Sequence, residues 1–264
     1  MKFPLRLLAL AILIFTGLPA EAADPDSVVC TAPKDFARLG ATLPATATAM
    51  RRGDELVIVA IGSSSTSGVG ASDRKHTYPA RLENELRRIW PHQAVRVINK
   101  GIGGEDAEQM VARFERDVLS HNPDLVIWQA GTNMMLQHGS EGALLSLLRN
   151  GIRTLKAAHS DIILMDPQYA PKVLDVPSHP EFVAAIAQAA IEQEIGLFHR
   201  FAAMQHWVDA GTFAEKDLIA PDQLHMNDVS YTCVARLLAA GIVDAVRATP
   251  LNIAIHNGRD NSVR

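Results

Sequence analysis

Clustered positive charge is what this chain most clearly lacks. No run of Lys or Arg is longer than two, and the formal net charge is −4 over 264 residues. Nucleic acid is gripped first through its phosphates, so it is not an expected partner. Internal repeats and low-complexity tracts are missing as well, which excludes solenoids and linker-like chains. With 48% hydrophobic and 20% charged residues, the composition suits one ordinary globular domain with a sizeable core.

The N-terminal apolar stretch is also too short to cross a membrane comfortably. The stretch from Leu7 to Leu18 is about 12 residues, against the roughly 20 a spanning helix needs. Lys2 and Arg6 precede it and Ala20-Glu21-Ala22 follow it, so residues 1–22 read as a cleavable signal peptide. The mature chain is expected to start near Ala23, to be periplasmic or secreted, and to keep no stable membrane span. No cysteine follows the apolar run where a lipid anchor would be attached. Cysteine is scarce throughout, with only Cys30 and Cys233. In an oxidising compartment the two can bridge an N-terminal arm to the last helix. The alternative is two unpaired thiols, Cys233 being a small core residue.

Residues 23–53 are rich in Ala, Thr and Pro and read as an irregular arm wrapping the domain. From 54 to 248 strands and helices alternate. Leu56 to Ile61 is a continuous apolar run, as expected of a strand buried on both faces. Comparable runs lie at 95–98, 125–128, 162–165 and, more weakly, 195–198. Helical patterns fall near 78–90, 106–119, 141–158 and 179–193, and a last one, 228–247, is introduced by Asn227-Asp228. Strands with helical crossovers predict a three-layer α/β/α fold around a flavodoxin-like, five-stranded parallel sheet of order 2-1-3-4-5. In that order the loops after strands 1, 2 and 3 meet at the carboxyl edge, where the winding reverses and sites form. The polar tail, 249–264, is expected to fray.

Those three loops carry a consistent chemistry. The first is Gly62-Ser63-Ser64-Ser65-Thr66-Ser67-Gly68, the second runs from Asn99 to Ala107 and holds Gly101, Gly103 and Gly104, and the third is Gly131-Thr132-Asn133. One offers hydroxyls, one glycine N–H groups, one a side-chain amide. A nucleophile and two oxyanion donors are what attack on an ester carbonyl needs. A serine also needs a base. Of ten histidines, His225 stands apart, in a loop just before the last helix and three residues after Asp222. A helical turn there would put both on one face, so that the carboxylate holds the imidazole. Taken alone, Asp222 also reads as a turn residue after Pro221.

Taken together, these blocks resemble the SGNH/GDSL hydrolase family. The family's Gly-Asp-Ser-Leu block, often followed by Thr-x-Gly, aligns on Gly62, Thr66 and Gly68 and makes Ser64 the nucleophile. Its Asn-x-Gly-x-x-Gly block aligns on Asn99, Gly101 and Gly104, its Gly-Thr-Asn block on Asn133, and its Asp-x-x-His block on Asp222 and His225. The resemblance spans about residues 55–245. It implies a catalytic triad of Ser64, His225 and Asp222, with the oxyanion held by the Ser64 and Gly104 N–H groups and the Asn133 amide. Two positions depart from the pattern: Ser63 and Met134 replace family aspartates, before the nucleophile and after Asn133. Both bear on substrate and rate more than on reaction class. The stretch is not the Gly-x-Ser-x-Gly elbow of α/β-hydrolases, because Thr66 stands where the second glycine would be.

The implied activity is two-step acyl transfer without metal or organic cofactor. The expected substrate is a small-molecule or polysaccharide ester, carrying a short O-acyl group such as acetyl. Lysophospholipid or acyl-thioester hydrolysis is the alternative within the family. Met134, Met135 and Leu136 would then either line an acyl pocket or simply pack inside the fold. From another class, the serine-rich loop with a second glycine cradle reads as an FMN- or phosphate-binding module, which leaves Asn133, Asp222 and His225 without roles.

Overall fold

The computed structural model describes residues 27–250. The predicted signal peptide, 1–22, and the tail beyond Pro250 lie outside these. The sheet has five strands, β1 (Leu56–Gly62), β2 (Val95–Gly101), β3 (Leu125–Gln129), β4 (Asp161–Met165) and β5 (Gly196–Phe198). All pairings are parallel and the order is β2-β1-β3-β4-β5, as the alternation of strands and helices predicts. β1 and β3 are buried along their whole length, which is why they read as unbroken apolar runs. β2 lies at an edge, and its exposed Arg96 and Asn99 interrupt the apolar pattern.

In chain order the helices are α1 (Pro44–Arg52), α2 (Ser64–Ser67), α3 (Tyr78–Ile89), α4 (Ala107–Ala112), α5 (Phe114–Asp117) and α6 (Thr132–Leu136). They continue with α7 (Glu141–Ala157), α8 (Pro171–Leu174), α9 (His179–Glu192), α10 (Arg200–Asp209), α11 (Glu215–Leu218) and α12 (Asp228–Ala248). The Asn227 side chain accepts from the Val229 and Ser230 N–H groups, so the predicted cap of α12 is in place. By length and composition α12 could cross a membrane, but 67% of its apolar window is buried inside the fold, and it serves as a core helix.

Three expectations need correction. The described part of the arm, read as irregular, contains a 3-10 turn at Lys34–Ala37 and the helix α1. Leu43, just before α1, makes no side-chain cap; the carboxylate of Asp161, at the start of β4, accepts from the Ala45 and Thr46 N–H groups instead. A cap delivered from 115 residues away leaves no local signal. The single helix expected over 106–119 is broken into α4, α5 and a 3-10 turn at Leu119–His121. The break falls at Arg113, whose buried guanidinium turns inward to Glu105, Asp117 and the carbonyls of Gly62 and Lys100. The helix α10, absent from the expected pattern, begins at the fully buried Arg200.

Cys30 and Cys233 form a disulfide across a sequence separation of 203 residues, which decides between the two readings of the pair. It ties the N-terminal segment to α12. Closing so long a loop is worth roughly 5 kcal/mol in the chain-entropy model.

Candidate active site

β1 ends at Gly62, and the chain turns at once into the single helical turn α2. The Thr66 and Ser67 N–H groups donate to the Ser63 carbonyl at 3.0 and 2.9 Å, and the turn fixes which way each serine points. Ser63 and Ser65 are buried and Ser64 is half-buried. The Ser64 hydroxyl lies 2.8 Å from His225 Nε2. Ser63 instead donates through both its N–H and its hydroxyl to Gln129 Oε1, at 3.0 and 3.1 Å. Thr66 Oγ1 donates to the same oxygen at 3.2 Å.

Gln129 was not singled out in the sequence, although a signal existed: it is the polar last residue of an otherwise apolar strand run. It is fully buried, and it holds the nucleophile turn where an aspartate at position 63 is lacking. Its Nε2 has no partner among the described residues.

The loop between α11 and α12 brings the base. It is not the helical turn expected from the three-residue spacing. Ile219 and Met226 pair as an antiparallel bridge, the Ala220 N–H donates to the His225 carbonyl at 2.8 Å, and Gln223 has a φ of +63°. Asp222 Oδ1 accepts from the Leu224 and His225 N–H groups at 3.0 and 2.9 Å, as Asp does in a tight turn. Its Oδ2 is paired with His225 Nδ1. Desolvation pushes the Asp222 carboxyl up, but the His225 ring and the two backbone donors outweigh it and hold the pKa at about 2. At neutral pH Asp222 is therefore a fixed negative charge that keeps the Nδ1–H tautomer and leaves Nε2 free to accept the Ser64 proton.

The second block touches α2, and the third touches the second. Asn99 Nδ2 donates to the Thr66 carbonyl at 2.8 Å, and Asn99 Oδ1 accepts from the Gly101 N–H at 2.9 Å. At Gly101 the two loops touch, since a Cβ there would run into the Ser67 backbone nitrogen. Gly104 is exposed, with a φ of +84° and open space at its Cβ position. Asn133 lies in the first turn of α6, and its Nδ2 donates to the Glu105 carbonyl at 2.8 Å. A primary amide has two protons, and this bond uses one of them to tie α6 to the second loop. Ser64 opens α2, where a backbone N–H has no intrahelical acceptor. All five residues expected from the sequence, Ser64, Gly104, Asn133, Asp222 and His225, thus converge on one edge of the sheet. Met134 and Met135 are buried in the core, which favours packing over an acyl pocket. Among the described residues no cluster of His, Cys, Asp or Glu is arranged to hold a metal.

A serine turn after a central strand, with a His–Asp loop before the last helix, defines an SGNH-like hydrolase architecture. The model of the non-GDSL lipase-like family matches residues 29–248, and the chain belongs to that family. The family's name agrees with the nucleophile block, which reads Gly-Ser-Ser-Ser at 62–65 rather than Gly-Asp-Ser-Leu. An acetylxylan esterase of Geobacillus stearothermophilus is 31% identical over 102 residues, covering 35% of this chain and 47% of the relative. The match thus spans about half the length of that curated protein. Among solved structures, the acetylxylan esterase Axe2 of the same organism superposes with a TM-score of 0.58 at 23% identity, over 72% of this chain and 94% of that one. A two-domain esterase active on acetylated mannans gives a TM-score of 0.67 at 21% identity, over 82% and 57%. TesA gives 0.61 at 18%, over 72% and 99%. At these identities the structures establish the shared fold.

Proposed function

We propose that this chain is an exported serine ester hydrolase that removes short O-acyl groups, chiefly acetyl, from polysaccharide. The observation that carries the reading is the relay in which the Ser64 hydroxyl lies 2.8 Å from His225 Nε2 while His225 Nδ1 is paired with Asp222. His225 takes the Ser64 proton as Oγ bonds to the ester carbonyl carbon, and the carbonyl π pair moves onto oxygen. The oxyanion is met by the Ser64 and Gly104 N–H groups and the free proton of the Asn133 amide. As it collapses, the C–O bond to the alcohol breaks and His225 protonates the leaving oxygen. Water then gives a proton to His225, attacks the acyl-enzyme, and the acid leaves as Ser64 regains its proton. Asp222 stays ionised throughout.

The acetylxylan and acetylmannan esterases named above support acetylated polysaccharide as the substrate class. The burial of Met134 and Met135 counts against the long-chain acyl alternative. Export is supported by the signal-like pattern at 1–22 and by the Cys30–Cys233 disulfide, a bond that persists in oxidising compartments. The test is a panel of aryl esters graded from two to sixteen carbons, together with acetylated xylan and mannan, for the wild type and S64A. Rates should be highest for the shortest chain, acetate should be released from at least one polymer, and S64A should be inert. A preference for long chains would move the assignment to the lysophospholipase or thioesterase class. A flavin-coloured protein without esterase activity would sink the hydrolase reading.

A further inference from the structure

The loop after β4 contributes no residue to the mechanism above, yet it places a fully buried amide, Gln168, at the centre of the carboxyl edge. Its Nε2 donates to the Leu224 carbonyl at 3.0 Å, and its Oε1 accepts from Arg200 Nη2 at 3.1 Å. The Ser65 and Thr132 hydroxyls both face Oε1 at 3.4 Å. The orientation of the amide is unambiguous: a guanidinium can only donate and a carbonyl can only accept, so the two ends cannot be exchanged. Ser65 follows Ser64, Thr132 precedes Asn133 and Leu224 precedes His225. One side chain therefore reaches the chain neighbour of the nucleophile, of the oxyanion donor and of the base.

We propose that Gln168 is a positioning residue that sets the spacing of Ser64, Asn133 and His225 by tying their three loops to a single buried amide. These residues come from the segments after β1 and β3 and before α12; Ser64 and His225 are linked directly, and Gln168 adds one tie shared by all three segments. A glutamine suits the task because it offers a donor at one end and an acceptor at the other. Arg200 fixes the amide in turn. Its Nε donates to the Asp166 carbonyl at 2.9 Å, which clamps the start of the same loop. Gln168 is shielded from substrate, and its recorded bonds avoid the side chains of Ser64, Asn133 and His225, so its effect must pass through their backbones. Small misplacements of a catalytic group carry large rate penalties, which makes such a tie worth a buried polar cluster.

The proposal rests on the esterase reading for its kinetic arm only. Q168M keeps the approximate volume and removes every hydrogen bond. Q168E keeps an acceptor for Arg200 but turns a second acceptor toward the Leu224 carbonyl, releasing the His225 loop alone. For each variant, kcat and KM are measured on a short-chain aryl ester, and the downfield proton resonance of His225 Nδ1–H is recorded by NMR, with D222N to assign it. Both variants should keep a cooperative thermal transition, lose about 10- to 100-fold in kcat and hold KM within about threefold. The Nδ1 resonance should shift or broaden in both. Wild-type kcat and an unmoved resonance, with only a lowered Tm, would overturn the proposal. So would failure of both variants to fold, which would make Gln168 a stability residue. If the wild type hydrolyses no ester, the functional reading falls, while the resonance comparison still decides the role of Gln168.

Discussion

Two aspartates at opposite edges of the sheet accept hydrogen bonds from successive backbone N–H groups and do different work with them. At the amino edge, Asp161 accepts from the Ala45 and Thr46 N–H groups at 3.2 and 2.8 Å and from the Thr46 hydroxyl at 2.8 Å. At the carboxyl edge, Asp222 accepts from the Leu224 and His225 N–H groups and adds the His225 ring. Asp161 is buried, and desolvation outweighs its hydrogen bonds and pushes its carboxyl up. Asp222 is half-exposed; there desolvation loses to the bonds, and the carboxyl is held at about 2. One carboxylate pins α1 to the sheet, and the other is a standing charge that orients the His225 ring. The wider contrast is in spare capacity. Asp161 spends its oxygens on one helix terminus, whereas at the other edge the proposed mechanism leaves donors of Asn133, Gly104 and Ser64 for an incoming oxygen.

That contrast can be broken most severely at the nucleophile. Ser64→Ala should lower kcat by at least about 10⁴-fold, while Ser63→Ala, at the neighbouring residue held by Gln129, should keep most activity. A fluorophosphonate probe followed by peptide mapping should label Ser64 once; labelling at Ser63 or Ser65 would refute this register.

Next in size is the relay. Asp222→Asn should cost about 10⁴-fold in kcat by freeing the ring to take the wrong tautomer. His225→Ala should cost at least as much, and the double variant little more than His225→Ala, because the pair acts as a unit. Independent, multiplicative losses in kcat/KM would mean that the two do not work together. His225 must be neutral to accept a proton, so activity should fall on acidification. With Asp222 held at about 2, no second ionisation from that residue should appear between pH 4 and 8.

A smaller effect belongs to the oxyanion donor. Asn133→Ala should lower kcat by about 10²–10³-fold and leave KM nearly unchanged, since the charge it meets exists only in the transition state. A raised KM at normal kcat would assign Asn133 to substrate binding.

The smallest effect on activity should come from the other edge. Asp161→Ala leaves two helix-end N–H groups without their acceptor and should cost about 1–3 kcal/mol of stability with kcat/KM unchanged. Acid should separate the two aspartates in opposite directions. The contribution of Asp222 to stability is present above the unfolded value of 3.8 and is lost as pH falls through about 2. Asp161, with its carboxyl raised, contributes fully below the unfolded value and loses that contribution as pH rises through its folded value. Thermal melts of D161N and D222N against the wild type, from pH 2 to 8, should show Tm gaps with these opposite slopes.

Much of this was legible before any coordinates. Strands buried on both faces are predominantly apolar, so β1 and β3 stand out in the sequence, and crossover handedness then leaves few orders for the sheet. The short polar blocks after those strands could be placed together because a parallel sheet delivers its loops to one edge. Elements whose stability comes from far along the chain stayed hidden. Nothing in Pro44–Arg52 announces that Asp161 will cap it, and nothing near Arg113 announces that its guanidinium will turn inward and break a helix.

Local patterning by itself determined the strands, the long helices α3, α7, α9 and α12 and the residue types at the site, because period, caps and turn chemistry are properties of neighbouring residues. Only the tertiary structure decided how those residues face one another. The spacing of Asp222 and His225 was read correctly as proximity, but the geometry came from a bridged loop rather than a helical turn. The sequence marks Gln129 only as a polar end to an apolar run, and the partners of Gln129 and Gln168 come from packing, where each amide is buried against groups far along the chain. The physical reason is that these hydrogen bonds across a core join residues 32 to 103 positions apart, and such partners are set by the fold as a whole rather than by any segment of it.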